Sequence, residues 1–152
     1  MLKKIILFII FLLPWFLSAL FPVDYKYYDT LNLPFFAPPN IFYSIAWTLI
    51  YILTALTVTM IATSYKWKDI PSSYKITLLI NYLFNQSYIL VAFGFKNNFL
   101  GFISCLGTFL SCLFLVVETK SLKEKSTKLL IPYVLLSLFA TILSFTIYIM
   151  NI

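Results

Sequence analysis

The residues best suited to chemistry are amides and hydroxyls set inside apolar sequence. Thr77, Asn81, Asn85 and Tyr88 recur at intervals of three or four, with Gln86 beside them. That spacing places side chains on one face of a helix. An amide facing lipid tails is costly, so this face must meet protein, water or a ligand. One reading is hydrogen bonding between helices, at about 0.6 kcal/mol per bond. The other is contact with the polar edge of a ligand. Ser44, Trp47, Thr48, Tyr51 and Ala55 make a second such face. Pro132, Tyr133, Leu136, Ser137, Ala140, Thr141, Ser144 and Tyr148 lie along a further stretch. Gly101, Cys105, Thr108 and Cys112 form a stripe of small residues, which suits close packing of helices.

Much other chemistry is excluded. The chain has no His, and all eleven of its cations are Lys. No Asp or Glu interrupts the long apolar runs, and Glu118 lies at the end of one. The usual metal ligands, acid–base pairs and proton relays are therefore missing. A Ser-His or Cys-His nucleophile cannot be assembled. With only Gly94, Gly101 and Gly107 there is no glycine-rich phosphate loop. No catalytic residue and no cofactor is expected, and a binding role is favoured over an enzymatic one. The aromatic content of 20% suits a large, flat, mostly apolar ligand held by stacking and a few hydrogen bonds.

The elements that must position these residues follow from the charge pattern. Hydrophobic residues make up 62% of the 152 and charged residues only 11%, less than half the share of a soluble domain. Charge-free runs cover 5–23, 30–65, 76–95, 97–117 and 129–152. A spanning helix needs about 20 apolar residues. The run 30–65 is longer, but Pro34, Pro38 and Pro39 oppose a helix in its first third. The expected spans are about 5–21, 41–63, 74–93, 99–117 and 129–150. Transmembrane strands would alternate apolar and polar residues; these runs are apolar throughout. The fold class is thus an all-α integral membrane bundle of five transmembrane helices, in one domain over residues 1–152.

Nine lysines (Lys3, Lys4, Lys66, Lys68, Lys75, Lys120, Lys123, Lys125 and Lys128) fall on one side of this topology. Only Lys26 and Lys96 fall on the other. The positive-inside rule then puts the N-terminus in the cytoplasm and the C-terminus outside. This distribution explains the net charge of +6 without nucleic acid as a partner. Met1-Leu2-Lys3-Lys4 before an apolar run also has the pattern of a signal peptide. The length of that run, with Pro14-Trp15 inside it, favours a retained first span. Loop one, about 22–40, is longer than connection requires and holds Tyr25, Tyr27, Tyr28, Phe35 and Phe36. It is expected to be either a lid or an interfacial aromatic belt. Cys105 and Cys112 are seven residues apart on one helix, about 10 Å along its axis, so they are expected to be free thiols.

Several segments together resemble a known family. They are Phe21-Pro22-Val23-Asp24, Tyr27 to Leu31, Pro34 to Pro39, Ile45 to Leu49, Asn81-Tyr82-Leu83-Phe84-Asn85-Gln86, and Ile131-Pro132-Tyr133 to Thr141. Their order and spacing resemble the tryptophan-rich sensory protein family, also called translocator protein or peripheral benzodiazepine receptor (TspO/MBR), over nearly the whole chain. The resemblance implies a bacterial cell-membrane protein, often a homodimer, with a pocket beneath loop one. It implies porphyrins and benzodiazepine-site drugs as ligands. Carried over by position, the pocket comprises Tyr28, Pro38, Trp47, Tyr51, Asn81, Asn85, Gln86, Tyr88, Cys105, Leu136 and Ala140.

The chain departs from the family at Tyr27, Phe36 and Leu136, where Trp is usual. A Leu at 136 can neither be photo-oxidised nor donate a hydrogen bond, which weighs against the light-dependent porphyrin degradation of some members. The sterol-contact pattern of animal members is absent, since only Ile149 to Ile152 follow Tyr148. The leading expectation is a binding or sensory protein for porphyrin-like tetrapyrroles. A porphyrin-degrading enzyme and a transporter of small apolar molecules are the alternatives.

Overall fold

The computed structural model describes residues 2–152, apart from the side chain of Tyr25. Met1 and the Tyr25 ring of the expected loop-one cluster lie outside the described set. Among the described residues there are helices and turns but no strand.

The first crossing has two parts. Helix α1 (Leu2–Leu12) passes directly into an eight-residue 3-10 helix, Leu13–Leu20, with Pro14 in its first turn. Proline lacks an N–H and cannot continue an α-helical ladder. The 3-10 form rises faster per residue, so the two parts together reach about 32 Å, enough to cross the hydrocarbon core. A 3-10 run this long is uncommon. Its spare backbone groups find partners on a neighbouring helix, described below.

A single turn, α2 (Tyr25–Tyr28), sits in loop one. Helix α3 (Asn40–Ser64) begins directly after Pro38-Pro39, and Pro39 stays extended at its start. Thr48, Thr57, Thr59 and Thr63 donate to carbonyls four residues back, which satisfies their hydroxyls within the helix. Helix α4 (Ser72–Ile89) follows Pro71 and widens into a π-turn, Leu90–Gly94. Helix α5 (Asn98–Thr127) is capped by the Asn97 side chain, which accepts from the Leu100 N–H at 2.9 Å. Helix α6 (Ile131–Met150) has Pro132 in its first turn.

The largest departure from expectation is the length of α5. The apolar run ends at Val117, yet the helix continues ten residues further through Lys120 and Lys125. Its geometry breaks only at Lys123 (φ −156°, ψ 87°). There the Lys123 ammonium donates to the Met60 carbonyl at 3.2 Å and to Ser64 Oγ. It thereby caps the last turn of α3, whose carbonyls lack helical partners. Four helical stretches are long and apolar enough to cross a membrane. The last of them, Asn98–Met150, has 53 residues, more than twice the length of one span. It folds back beyond the Lys123 break, since Phe99 meets Tyr148 and Phe102 meets Phe145. The chain therefore makes five crossings.

Packing is inverted relative to a soluble protein. The buried side of α5 is small or polar: Gly101, Ser104, Cys105, Thr108, Ser111 and Cys112. Its exposed side carries Leu110, Leu113, Phe114 and Val117. Helix α4 likewise exposes Ile76, Leu79, Ile80 and Leu83. Apolar surface this extensive is normal only against lipid, where small residues make the helix contacts. At Gly107 an added Cβ would lie 2.4 Å from the Phe84 ring, so α4 and α5 touch through that missing side chain. The larger apolar core, including Ile61, Ile70, Tyr74, Leu115 and Leu130, sits toward the lysine-rich end.

Candidate ligand cavity beneath loop one

Loop one is fastened across the opposite end of the bundle. The Asp24 carboxylate accepts the Tyr27 N–H at 3.0 Å and starts the α2 turn. Its other oxygen lies 3.0 Å from Lys96 Nζ. The Tyr27 N–H, and then Lys96, hold the Asp24 carboxyl below the usual carboxylate range. The Tyr27 hydroxyl reaches Asn98 Oδ1 at 3.1 Å and the Lys96 carbonyl at 3.2 Å. Farther along, the Asn32 N–H donates to Asn151 Oδ1 at 2.8 Å, and Asn151 Nδ2 returns a bond to the Asn32 carbonyl at 3.0 Å. Phe36 packs edge-on against Phe139 of α6. Loop one is thus tied to the α4–α5 turn and to the end of α6.

Under this cover is a cavity of about 20 Å³ walled by Tyr28, Tyr88, Phe93, Gly101 and Ser144 among others. That is room for one water molecule. Phe93 reaches Tyr88 (ring centroids 6.2 Å apart) because the π-turn brings residues five apart together. Gly101 admits the Ala92 methyl, which a Cβ there would meet at 3.1 Å. The Cys105 thiol donates to Ser144 Oγ at 3.5 Å. The Tyr43 hydroxyl is buried beside Tyr28 and Tyr88 and makes no well-formed hydrogen bond. The buried hydroxyls of Thr54, Tyr74, Thr119 and Thr127 are likewise unpaired, so an unpaired hydroxyl alone marks no ligand site.

The amides expected to face a ligand lie elsewhere, and each is hydrogen-bonded to protein through both its oxygen and its nitrogen. Asn81 Oδ1 accepts from the Tyr133 hydroxyl at 2.8 Å, and Asn81 Nδ2 donates to the Thr108 carbonyl and Ser111 Oγ, both at 3.0 Å. Asn85 Oδ1 accepts from the Tyr51 hydroxyl and Gln86 Nε2, both at 3.1 Å. Asn85 Nδ2 donates to Tyr133 at 3.3 Å. Gln86 accepts the Ser18 N–H at 2.8 Å and donates to the Trp15 carbonyl at 3.1 Å. The Tyr82 hydroxyl bonds the Pro14 carbonyl at 3.1 Å. One hydrogen-bonded network therefore touches all five crossings and supports the 3-10 segment. Of the two readings of these amides, the present conformation realises the interhelical one.

The remaining expected residues are divided between these centres. Tyr28 and Tyr88 line the cavity, and Cys105 approaches it through Ser144. Tyr51, Asn81, Asn85 and Gln86 belong to the network. Trp47 leans on both Tyr51 and Tyr133, at 6.1 Å each. Leu136 packs with Trp47 against the apolar core. Pro38 and Ala140 are half-buried. Tyr43 and Phe93 escaped the sequence reading. Tyr43 precedes Trp47 by four residues and Tyr51 by eight, so helical periodicity points to it. Phe93 had no such signal, because the π-turn shifts the phase. Among the described residues no cluster of His, Cys, Asp and Glu could hold a metal ion.

A sequence model of the TspO/MBR family matches residues 5–150. The chain belongs to the TspO/MBR family. It is 38% identical over 147 residues to the Tryptophan-rich protein TspO of Bacillus cereus, covering 97% of this chain and 95% of that one. It is 35% identical over 133 residues to the uncharacterized membrane protein YtaB of Bacillus subtilis, covering 88% and 85%. A Tryptophan-rich protein TspO of Archaeoglobus fulgidus is 30% identical over 125 residues, covering 82% and 80%. Membership makes the five-crossing bundle a TspO-type integral membrane protein. Only three tryptophans remain in this TspO/MBR member, Trp15, Trp47 and Trp67. Trp15 is buried and stacks on Tyr51 at 5.5 Å, whereas Trp67 is exposed at the lysine-rich end.

Proposed function

We propose that this protein binds porphyrin-like tetrapyrroles, and flat apolar ligands of the benzodiazepine-site type, beneath loop one, and acts as a membrane-embedded binding or sensory protein. The observation that carries the reading is the aromatic-walled cavity beneath loop one, with the buried Tyr43 hydroxyl beside two of its lining residues. A ligand polar atom would supply the hydroxyl's missing partner, and Tyr28, Tyr88 and Phe93 would stack on the ligand face. The cavity of about 20 Å³ is far too small for such a ligand, so binding requires loop one to lift. Its fastenings are a few exposed polar contacts, which suits a lid. With no His in the chain, a free-base porphyrin fits better than a haem that needs an axial imidazole.

The lysine asymmetry supports an orientation with loop one outside the cell and the N-terminus in the cytoplasm. A homodimer in the bacterial cell membrane completes the proposal. The test is quenching of tryptophan fluorescence by protoporphyrin in detergent. Tyr43→Phe, Tyr88→Ala and Phe93→Ala should each weaken binding. If all three bind as tightly as the unaltered protein, the site is elsewhere. A ligand at about a hundred times its Kd should also stabilise the fold by about 2.7 kcal/mol. Light-dependent degradation is disfavoured by Leu136, which packs with Trp47 against the core at a position where the family usually has Trp. On illumination the porphyrin Soret band should fade no faster with the protein than in detergent alone.

A further inference from the structure

Two cavities meet at the loop-one end. The inner one is the small cavity beside Tyr28 and Tyr88. The outer one is an open cleft of about 500 Å³ bordered by Lys96, Asn97 and Asn151. Tyr27, Leu31 and Asn98 line both, so these three form the partition between cleft and cavity. Polar contacts keep that partition closed. The Tyr27 hydroxyl bonds Asn98 and the Lys96 carbonyl. The Lys96 ammonium lies 3.0 Å from Asp24 and 5.5 Å from the centre of the Tyr27 ring. One cation therefore holds two residues of the lid.

Lys96 is an unexpected residue for its backbone. Its φ of 50° is left-handed, a conformation that glycine or asparagine adopts more easily. In this conformation the Lys96 carbonyl meets the Tyr27 hydroxyl while its ammonium meets Asp24. The Lys96 side chain is 55% exposed, and its Asp24 partner is 38% exposed. An ion pair this open to water is weak and readily exchanged. A carboxylate arriving in the cleft can take the place of Asp24 at Lys96, while Asp24 keeps its bond from the Tyr27 N–H. The first turn of α5, at Asn98 and Phe99, also borders the cleft and favours negative charge there.

We propose that the outer cleft is a carboxylate-binding subsite with Lys96 as its cation. A ligand carboxylate docks there first and loosens the Asp24–Lys96 tie that holds loop one shut. The inference rests on the reading of the inner cavity as a ligand site, and it narrows the ligand to a flat apolar body bearing at least one carboxylate. Lys96 is then a specificity-determining residue.

The experiment compares protoporphyrin, a dicarboxylate, with its uncharged dimethyl ester by tryptophan quenching in detergent. The unaltered protein, Lys96→Met and Asp24→Asn are measured, with thermal unfolding as the folding check. The unaltered protein should bind the acid more tightly than the ester, but by less than the about three- to fivefold of one exposed ion pair, because the Asp24 pair is given up. Lys96→Met should bring that ratio close to one. Asp24→Asn, which frees Lys96, should show the full ratio and speed binding of the acid. A Lys96→Met ratio equal to that of the unaltered protein overturns the carboxylate subsite alone. An unaltered protein that binds neither compound overturns the ligand-site reading and the subsite with it.

Discussion

Asn81 and Tyr43 both place a polar group inside the membrane, and the contrast between them separates architecture from binding. Both N–H groups of the Asn81 amide and its oxygen are hydrogen-bonded. Asn81→Ala should therefore destabilise the bundle by about 2 kcal/mol, three bonds at roughly 0.6 kcal/mol each. Chemical denaturation in detergent reads this directly. Tyr43→Phe removes a hydroxyl that has no partner, so stability should hold or rise slightly while porphyrin binding weakens. The opposite pattern, a fragile Tyr43→Phe and a robust Asn81→Ala, would exchange the two assignments. The sequence shows that Asn81 and Asn85 share a face and cannot meet lipid. It does not say whether ligand or protein satisfies them, since that depends on Tyr133 and Ser111 arriving from distant helices.

The legibility of the helices depended on where the stopping signal came from. Pro39 and Pro71 mark the starts of α3 and α4 within a residue, because proline acts locally. The end of α5 has no such mark. Hydropathy stops at Val117, but a helix can continue into water, and the break at Lys123 comes from a tertiary bond to α3. The 3-10 half of the first crossing is similarly hidden, because it relies on Gln86 and Tyr82. Contact between α4 and α5 can be probed at Gly107. Gly107→Ala forces its methyl into the Phe84 ring and should cost about 1–3 kcal/mol, with Phe84→Leu in the same chain restoring much of the loss. Loop one offers a pH test. The Asp24 carboxyl is held below its ordinary 3.8, so its contribution is complete above that pH and is lost as pH falls through the lower folded value. Amide exchange in loop one, corrected for its intrinsic pH dependence, should rise below about pH 4, and in Asp24→Asn it should already be raised at pH 7.

At the scale of the whole molecule, five alternating crossings collect the lysines. Tyr27 and Asp24 meet Lys96 at one end. At the other, Tyr65 bonds the Leu122 carbonyl and Ser73 bonds Glu118, joining the lysine-rich segments. The network through Asn81 and Asn85 locks this alternation, since it needs a residue from every crossing. The proposed orientation rests on charge alone: moving nine lysines outward is less favourable than moving two. The two native thiols are 7% and 0% exposed, so they give little background to a water-soluble maleimide. A cysteine introduced at Thr30 should react in intact cells, and one at Lys125 only after the membrane is opened. The reverse result would invert the molecule, put loop one and its cavity in the cytoplasm, and require any ligand to reach it from inside.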